Sequence, residues 1–114
     1  MMESSCGKNP VSPELGMQIV DPVREAESDD EVGVIFLTGA GPVFSAGGDI
    51  NGLIASFDAP KPDEELRVQL AQSASGCLAL MDSAKPTIAL VNGAATVGGL
   101  AIAAACDLRI AGQS

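Results

Sequence analysis

Histidine, tryptophan and tyrosine are absent from this 114-residue chain, and phenylalanine occurs three times. Without histidine, a Cys/His zinc site is excluded, and so is any Ser-His-Asp or Cys-His catalytic pair. With aromatics at 3%, the core must consist of Ala, Val, Leu and Ile packed closely around thirteen glycines. Basic residues are scarce, six against fifteen acidic, so the net charge is −9 and the pI is near 4.1. That balance argues against a nucleic-acid phosphate backbone as partner. The acidic residues are dispersed, with small clusters at 25–31 and 63–65, and read as a solvated surface. Three cysteines (Cys6, Cys77, Cys106) are an odd number without ligand spacing. No metal is expected, and a reduced, cytoplasmic protein is the default. Cys106, in an alanine-rich run, reads as a small buried hydrophobe.

The first residues have neither an apolar stretch nor an Arg-rich amphipathic pattern, so no signal or transit peptide is visible. Residues 86–106 carry no charge and are long enough to span a bilayer. Asn92, Gly93, Gly98 and Gly99 interrupt that run, and alanine dominates its second half. A strand, a turn and a buried helix are the better reading, and no membrane partner is expected.

With 46% hydrophobic residues the chain can build a core. Ser12 as N-cap, Pro13 in the first helical position and Glu14 in the first turn start a helix. Leu15, Ile19 and Val23, with Met17, give it a core-facing stripe to about Ala26. Residues 32–37 form a β-branched run suited to a strand buried on both faces, weakened slightly by Gly33. A short helix is expected over 50–57, a loop over 58–63, and an amphipathic helix over 64–81. On that last helix Leu66, Leu70, Ala74, Leu78 and Met81 share a face. Residues 87–91 form the next buried strand, and 98–105 a helix without a polar face that should be wholly buried. Residues 107–111 form a last strand. Alternation of this kind implies an α/β fold with parallel pairing.

Two glycine-rich turns carry the chemistry. The first spans 39–49 (Gly-Ala-Gly-Pro-Val-Phe-Ser-Ala-Gly-Gly-Asp) and the second 92–99 (Asn-Gly-Ala-Ala-Thr-Val-Gly-Gly). Each follows an apolar strand and leads into a helix. A lone Gly-Gly turn is ordinarily just a tight backbone. Two of them in successive parallel units gather on one side of the sheet, where ligands bind. A dinucleotide fingerprint fails because Phe44 stands where a third glycine is needed, and no Gly-Lys-Ser/Thr phosphate loop is present. An anion or oxyanion site built from backbone N–H groups passes both tests.

Residues 37–41 (Leu-Thr-Gly-Ala-Gly) with 44–50 (Phe-Ser-Ala-Gly-Gly-Asp-Ile) resemble the first signature of the crotonase (enoyl-CoA hydratase/isomerase) superfamily. Residues 85–93 (Lys-Pro-Thr-Ile-Ala-Leu-Val-Asn-Gly), Val97-Gly98-Gly99 and 104–111 (Ala-Ala-Cys-Asp-Leu-Arg-Ile-Ala) resemble the second. Residues 9–15 look like the family's segment before its first long helix. The resemblance implies a partial crotonase-like spiral of ββα units over residues 9–114, an incomplete core domain, behind a disordered leader of residues 1–8. It implies an acyl-CoA thioester as partner, coenzyme A being part of the substrate and no separate cofactor being needed. It places oxyanion donors at the N–H groups of Gly48 and Gly98, and ligand contacts at Ala46, Gly48, Asp49, Ile50 and Asn51. Asp49 is read as a helix cap rather than an acid.

The chain departs from the family's hydratases in one visible place. Three positions after the second oxyanion glycine, where they carry a glutamate, stands Ala101, which cannot transfer a proton. The family's second glutamate falls beyond Ser114, as do its oligomer-building helices. A lysine often found near the first turn is Asn51 here. Three readings stay open: part of a family enzyme, a short form that binds acyl-CoA without turnover, and an interaction module. Asp49, Asp82 and Asp107, the carboxylates nearest the motifs, read as caps or strand-end structure. An exposed apolar patch and open strand edges are expected, and with them homo-oligomerisation or association with a longer relative.

Overall fold

The computed structural model describes residues 8–48 and 50–112, Ile50 by its backbone alone. Most of the leader expected over 1–8 therefore lies outside the described residues, as does Asp49. The element order is α1 (Pro13–Ser28), β1 (Ile35–Thr38), α2 (Ile50–Asp58), α3 (Asp63–Asp82), β2 (Thr87–Val91), α4 (Gly98–Ala105) and β3 (Leu108–Ala111). The strands form one sheet in the order β1-β2-β3, both pairs parallel, with Leu37 opposite Ala89 and Ala89 opposite Arg109. Isolated parallel bridges Ser45–Ala95 and Val11–Gly48 supply a minimal second strand after β1 and β2. The units are thus of the expected ββα kind.

Local chemistry places the elements. The Ser12 hydroxyl accepts the Leu15 N–H at 3.2 Å, and Pro13 opens α1 without needing a donor. At the other end of α1, the Lys85 ammonium donates to the carbonyls of Ala26 and Asp29. The Glu27 carboxylate accepts the Ala84 N–H at 3.0 Å. A cation on the last carbonyls of a helix also opposes its dipole, so α1 is pinned to the loop before β2. Asp107 is strand-end structure, as expected: its carboxylate accepts the Thr87 N–H at 2.9 Å, and its own N–H donates to the Thr87 carbonyl at 2.9 Å. Because Asp107 is spent this way, β3 begins one residue later than the sequence suggests. Similarly β1 begins at Ile35, whose N–H donates to the Pro86 carbonyl at 2.9 Å, while Gly33 lies exposed in open space.

The core lies between the sheet and α1, α3 and α4, and is built from Leu15, Ile19, Val23, Leu37, Phe44, Leu80, Ala89, Ile102, Ala103 and Cys106. Burial pushes the thiols of Cys77 and Cys106 above their ordinary range, which keeps Cys106 an inert core filler.

Four expectations about burial are corrected. Met17 is exposed, because the neighbouring helix meets α1 through Leu15, Gly16, Ile19 and Val23 instead. That neighbour, α3, does not bury its leucine stripe: Leu70 is 70% exposed, and Leu66, Leu78 and Met81 are exposed too. It buries Gly76 and Leu80, because α1 and α3 close up where two glycines meet. A Cβ on Gly16 would lie 2.3 Å from the Gln72 carbonyl oxygen, and one on Gly76 would lie 3.1 Å from the Gly16 carbonyl oxygen. Helix α4 buries only Gly99, Ile102 and Ala103, leaving Leu100, Ala101 and Ala104 exposed. The sheet is covered on one face alone, since Phe36, Leu108 and Ile110 project exposed from the other. Exposed apolar side chains are found on α4, where Leu100 was left open, and also on the sheet and α3, where none was expected. Among the described residues no helix is long and apolar enough to cross a membrane, and the run 86–106 resolves into β2, a turn and α4.

Candidate functional site

Both glycine-rich turns lie at the C-terminal ends of adjacent parallel strands, and a lattice of hydrogen bonds stitches them together. The Phe44 and Ser45 N–H groups donate to the Ala94 carbonyl at 3.0 and 3.1 Å, and the Thr96 N–H donates to the Ser45 carbonyl at 3.1 Å. The Thr96 hydroxyl donates to the Ala46 carbonyl at 2.7 Å. Asn92, at the end of β2, shapes the first turn from outside it. Its amide donates to the carbonyls of Gly39 and Gly41 at 3.0 and 2.9 Å, and its oxygen accepts the Gly39 N–H at 3.1 Å. Asn9 does the same from the other side. Fully buried, it donates to the carbonyls of Ala40, Val43 and Phe44 at 3.0 to 3.2 Å, and its own carbonyl accepts the Ser45 hydroxyl at 2.7 Å.

The two glycines singled out from the sequence both approach one residue, Gly48 against its backbone and Gly98 against its side chain. Val11 pairs with Gly48, its N–H donating to the Gly47 carbonyl at 2.6 Å. A Cβ on Gly98 would lie 3.0 Å from the Val11 Cγ2. Gly48 is exposed, with open space where a Cβ would stand. Gly98 opens α4, where the first N–H groups of a helix have no partner inside it. Neither the Gly48 N–H nor the Gly98 N–H donates to an acceptor among the described residues. Both donors therefore come from one stitched surface, one of them reinforced by the positive end of a helix dipole.

The residue before each donor has positive φ. Gly47, at φ +90°, could not be anything larger, because a Cβ there would lie 2.7 Å from the Thr96 carbonyl oxygen. Before Gly98 stands Val97, at φ +47° and ψ −109°. For a β-branched residue that is a strained backbone, costing on the order of 1–3 kcal/mol. The surrounding bonds over-determine it: the Gly99 N–H donates to the Thr96 carbonyl at 2.8 Å, and the Ala101 N–H donates to the Val97 carbonyl at 3.1 Å.

The other sequence-predicted positions fare differently. Ala46 belongs to the first turn, but its N–H already donates to the Lys8 carbonyl at 2.8 Å and its carbonyl accepts from Thr96. Asn51 is exposed in the first turn of α2, and the Ile50 backbone begins that helix. Asp49 lies outside the described residues. Ala101 is exposed on α4 one turn beyond Gly98 and presents only a methyl group. Among the described residues no group of His, Cys, Asp or Glu could hold a metal.

Sequence reasoning passed over Asn9, Thr96 and Val97 as site-builders, and placed Asn92 at the head of the second turn without giving its side chain a role. Asn92 carried a usable signal, since it sits where β2 meets the second turn and an Asn side chain is suited to bonding turn backbone. Val97 carried none, because valine is among the last residues expected at positive φ. Beside the site, a groove of about 570 Å³ runs between the start of α1, α2 and α3. Val11, Leu53, Ala55, Leu66 and Leu70 line it, and Glu14 and Lys61 stand on its wall.

Known proteins resemble this chain in sequence and fold. The sequence profile of the enoyl-CoA hydratase/isomerase family matches residues 2–114. A probable enoyl-CoA hydratase of Mycobacterium tuberculosis, EchA14, is 39% identical over 107 residues, covering 94% of this chain and 40% of its own length. A hydroxycinnamoyl-CoA hydratase-lyase of Pseudomonas fluorescens is 36% identical over 103 residues, covering 90% of this chain and 37% of its own. A crystal structure of an enoyl-CoA hydratase from Polaromonas sp. JS666 superposes with a TM-score of 0.87 at 28% identity, over 96% of this chain and 42% of that one. The chain thus spans about two fifths of the length of the relatives it matches. With the profile matched over residues 2–114, this chain belongs to the enoyl-CoA hydratase/isomerase family.

Proposed function

We propose that the chain binds an acyl-CoA thioester, with the thioester oxygen held between the N–H groups of Gly48 and Gly98. The observation that carries this reading is the pair of N–H groups beside Val11 that meet no acceptor among the described residues. Donors fixed in advance stabilise an oxygen that gains enolate charge, because nothing has to reorganise when the charge develops. The acyl group would lie in the groove that starts at Val11, whose lining is chiefly apolar. Lys8, exposed and joined to the first turn through Ala46, offers a cation to the coenzyme's phosphates. Coenzyme A arrives as part of the ligand, and no separate cofactor enters the reading.

The reaction is not specified by this half-site. Ala101 supplies no proton, and the carboxylate of Asp107 is occupied by Thr87. Relatives named as a hydratase, a hydratase-lyase and a 4-chlorobenzoyl-CoA dehalogenase share similar identity with the chain. What their names have in common is the CoA thioester, not the bond made or broken.

The test is calorimetric titration with butyryl-CoA, beside the variant Gly98→Pro. Proline is tolerated at a helix's first position but has no N–H to give. One lost hydrogen bond to the thioester should weaken binding by about 1–1.5 kcal/mol, roughly tenfold. Equal affinity in a variant that melts like the parent would refute the oxyanion assignment.

The open apolar surfaces favour a second reading, in which the chain works as an interaction module. Phe36, Leu108 and Ile110 on the sheet, with Leu70, Leu78 and Met81 on α3, present large side chains to solvent. Sedimentation velocity should therefore show the mean mass rising with concentration through the micromolar range. A single monomeric boundary at every concentration would rule this reading out.

A further inference from the structure

Among the described residues Val97 is the most exposed large hydrophobic side chain, at 83%, and it is held in the left-handed region that valine avoids. Its place explains why that cost could be worth keeping. It is bonded to Gly98, and a Cβ on Gly47 would lie 3.3 Å from the Val97 Cβ. The isopropyl group thus stands beside the backbone that precedes one donor and is joined to the other. A relaxed backbone at position 97 would re-aim the peptide plane that carries the Gly98 N–H.

We infer that Val97 is a specificity-determining residue, whose isopropyl group makes an apolar contact with the acyl segment next to the thioester. This rests on the oxyanion reading above. Strain tends to persist where it serves a site, and releasing it raises stability while harming function. A group with only a structural role would move the two together.

The experiment measures melting temperature and the affinities for butyryl-CoA and for free CoA, which lacks the acyl group. Three variants are compared with the parent: Val97→Gly, Val97→Ala and Val97→Thr. Val97→Gly is expected to melt about 4 °C higher or more, since glycine is at ease at this φ. It should bind butyryl-CoA three- to tenfold more weakly, with its affinity for free CoA unchanged. Val97→Ala should lose the same affinity with a smaller gain in melting temperature. Val97→Thr, which keeps the branched shape, should stay within twofold of the parent for butyryl-CoA. Undiminished butyryl-CoA affinity in Val97→Gly and Val97→Ala overturns the contact while leaving the oxyanion reading intact. A parent chain that binds butyryl-CoA no better than free CoA overturns the oxyanion reading itself, and the contact with it.

Discussion

Asn9→Ala is expected to cost about 3–5 kcal/mol, a large share of the roughly 5–15 kcal/mol that holds a small domain folded. The Asn9 amide has two hydrogens and serves three carbonyls, those of Ala40, Val43 and Phe44, at a fully buried position. Alanine leaves those carbonyls facing an apolar methyl group, and each unsatisfied buried group is penalised. It also keeps the strain of φ +49° without the side chain that makes an asparagine tolerable there. Urea denaturation checks this, and a midpoint within error of the parent would refute it. Asn9→Asp adds a sharper test. A carboxylate aimed at three carbonyls is disfavoured, whereas its protonated form can donate. The folded-state pKa of that aspartate should rise above its unfolded value, so the variant keeps its stability below the unfolded value and loses it as pH rises through the folded one. Its deficit against the parent should therefore be smaller at about pH 4 than at about pH 7.

Gly16→Ala should be nearly as damaging, for a steric reason. The added Cβ would meet the carbonyl oxygens of Gln72 and Ser73 at 2.3 and 2.9 Å, and both belong to the backbone of α3. No side chain can swing away, so one helix must shift against the other. The expected loss is about 3 kcal/mol, net of the roughly 1 kcal/mol that alanine gains over glycine inside a helix. At Gly76 the closest meetings are 3.1 Å, to the Gly16 carbonyl oxygen and the tip of Ile19, so Gly76→Ala should cost far less. At Gly33 nothing lies within 4 Å, so Gly33→Ala should change stability by no more than about 0.5 kcal/mol. The order Gly16, Gly76, Gly33 is the result to look for in denaturation midpoints. Any other order would mean that α1 and α3 are not set by this close approach.

These two residues also mark where reading the sequence stopped short. The element order was legible because capping, apolar period and glycine turns are local signals: Ser12 with Pro13, the β-branched run before Thr38, the glycines at 47–48 and 98–99. The adjacency of the two turns was legible because parallel connection forces successive turns to the same side. The orientation of α3 was not legible. Its leucine stripe shows which face is fit for burial, but the neighbour is chosen by Gly16 and Gly76, which leave no periodic mark. The same blindness hid the open face of the sheet, since Phe36 and Ile110 read as core in any apolar run. Asn9 was invisible for another reason: its partners sit more than thirty residues away, and nothing in the local sequence names them.

The bonds from Asn92 to Gly39 join residues 53 positions apart. At ribosomal speeds of roughly 5–20 residues per second, Gly39 leaves the synthetic centre roughly 3–10 s before Asn92 exists. The first turn thus spends that interval without the side chain that shapes it. Its carbonyls have only water and Asn9 to satisfy them until β2 is made. The candidate site is consequently a late product of biosynthesis, lacking its long-range bonds until the second turn arrives.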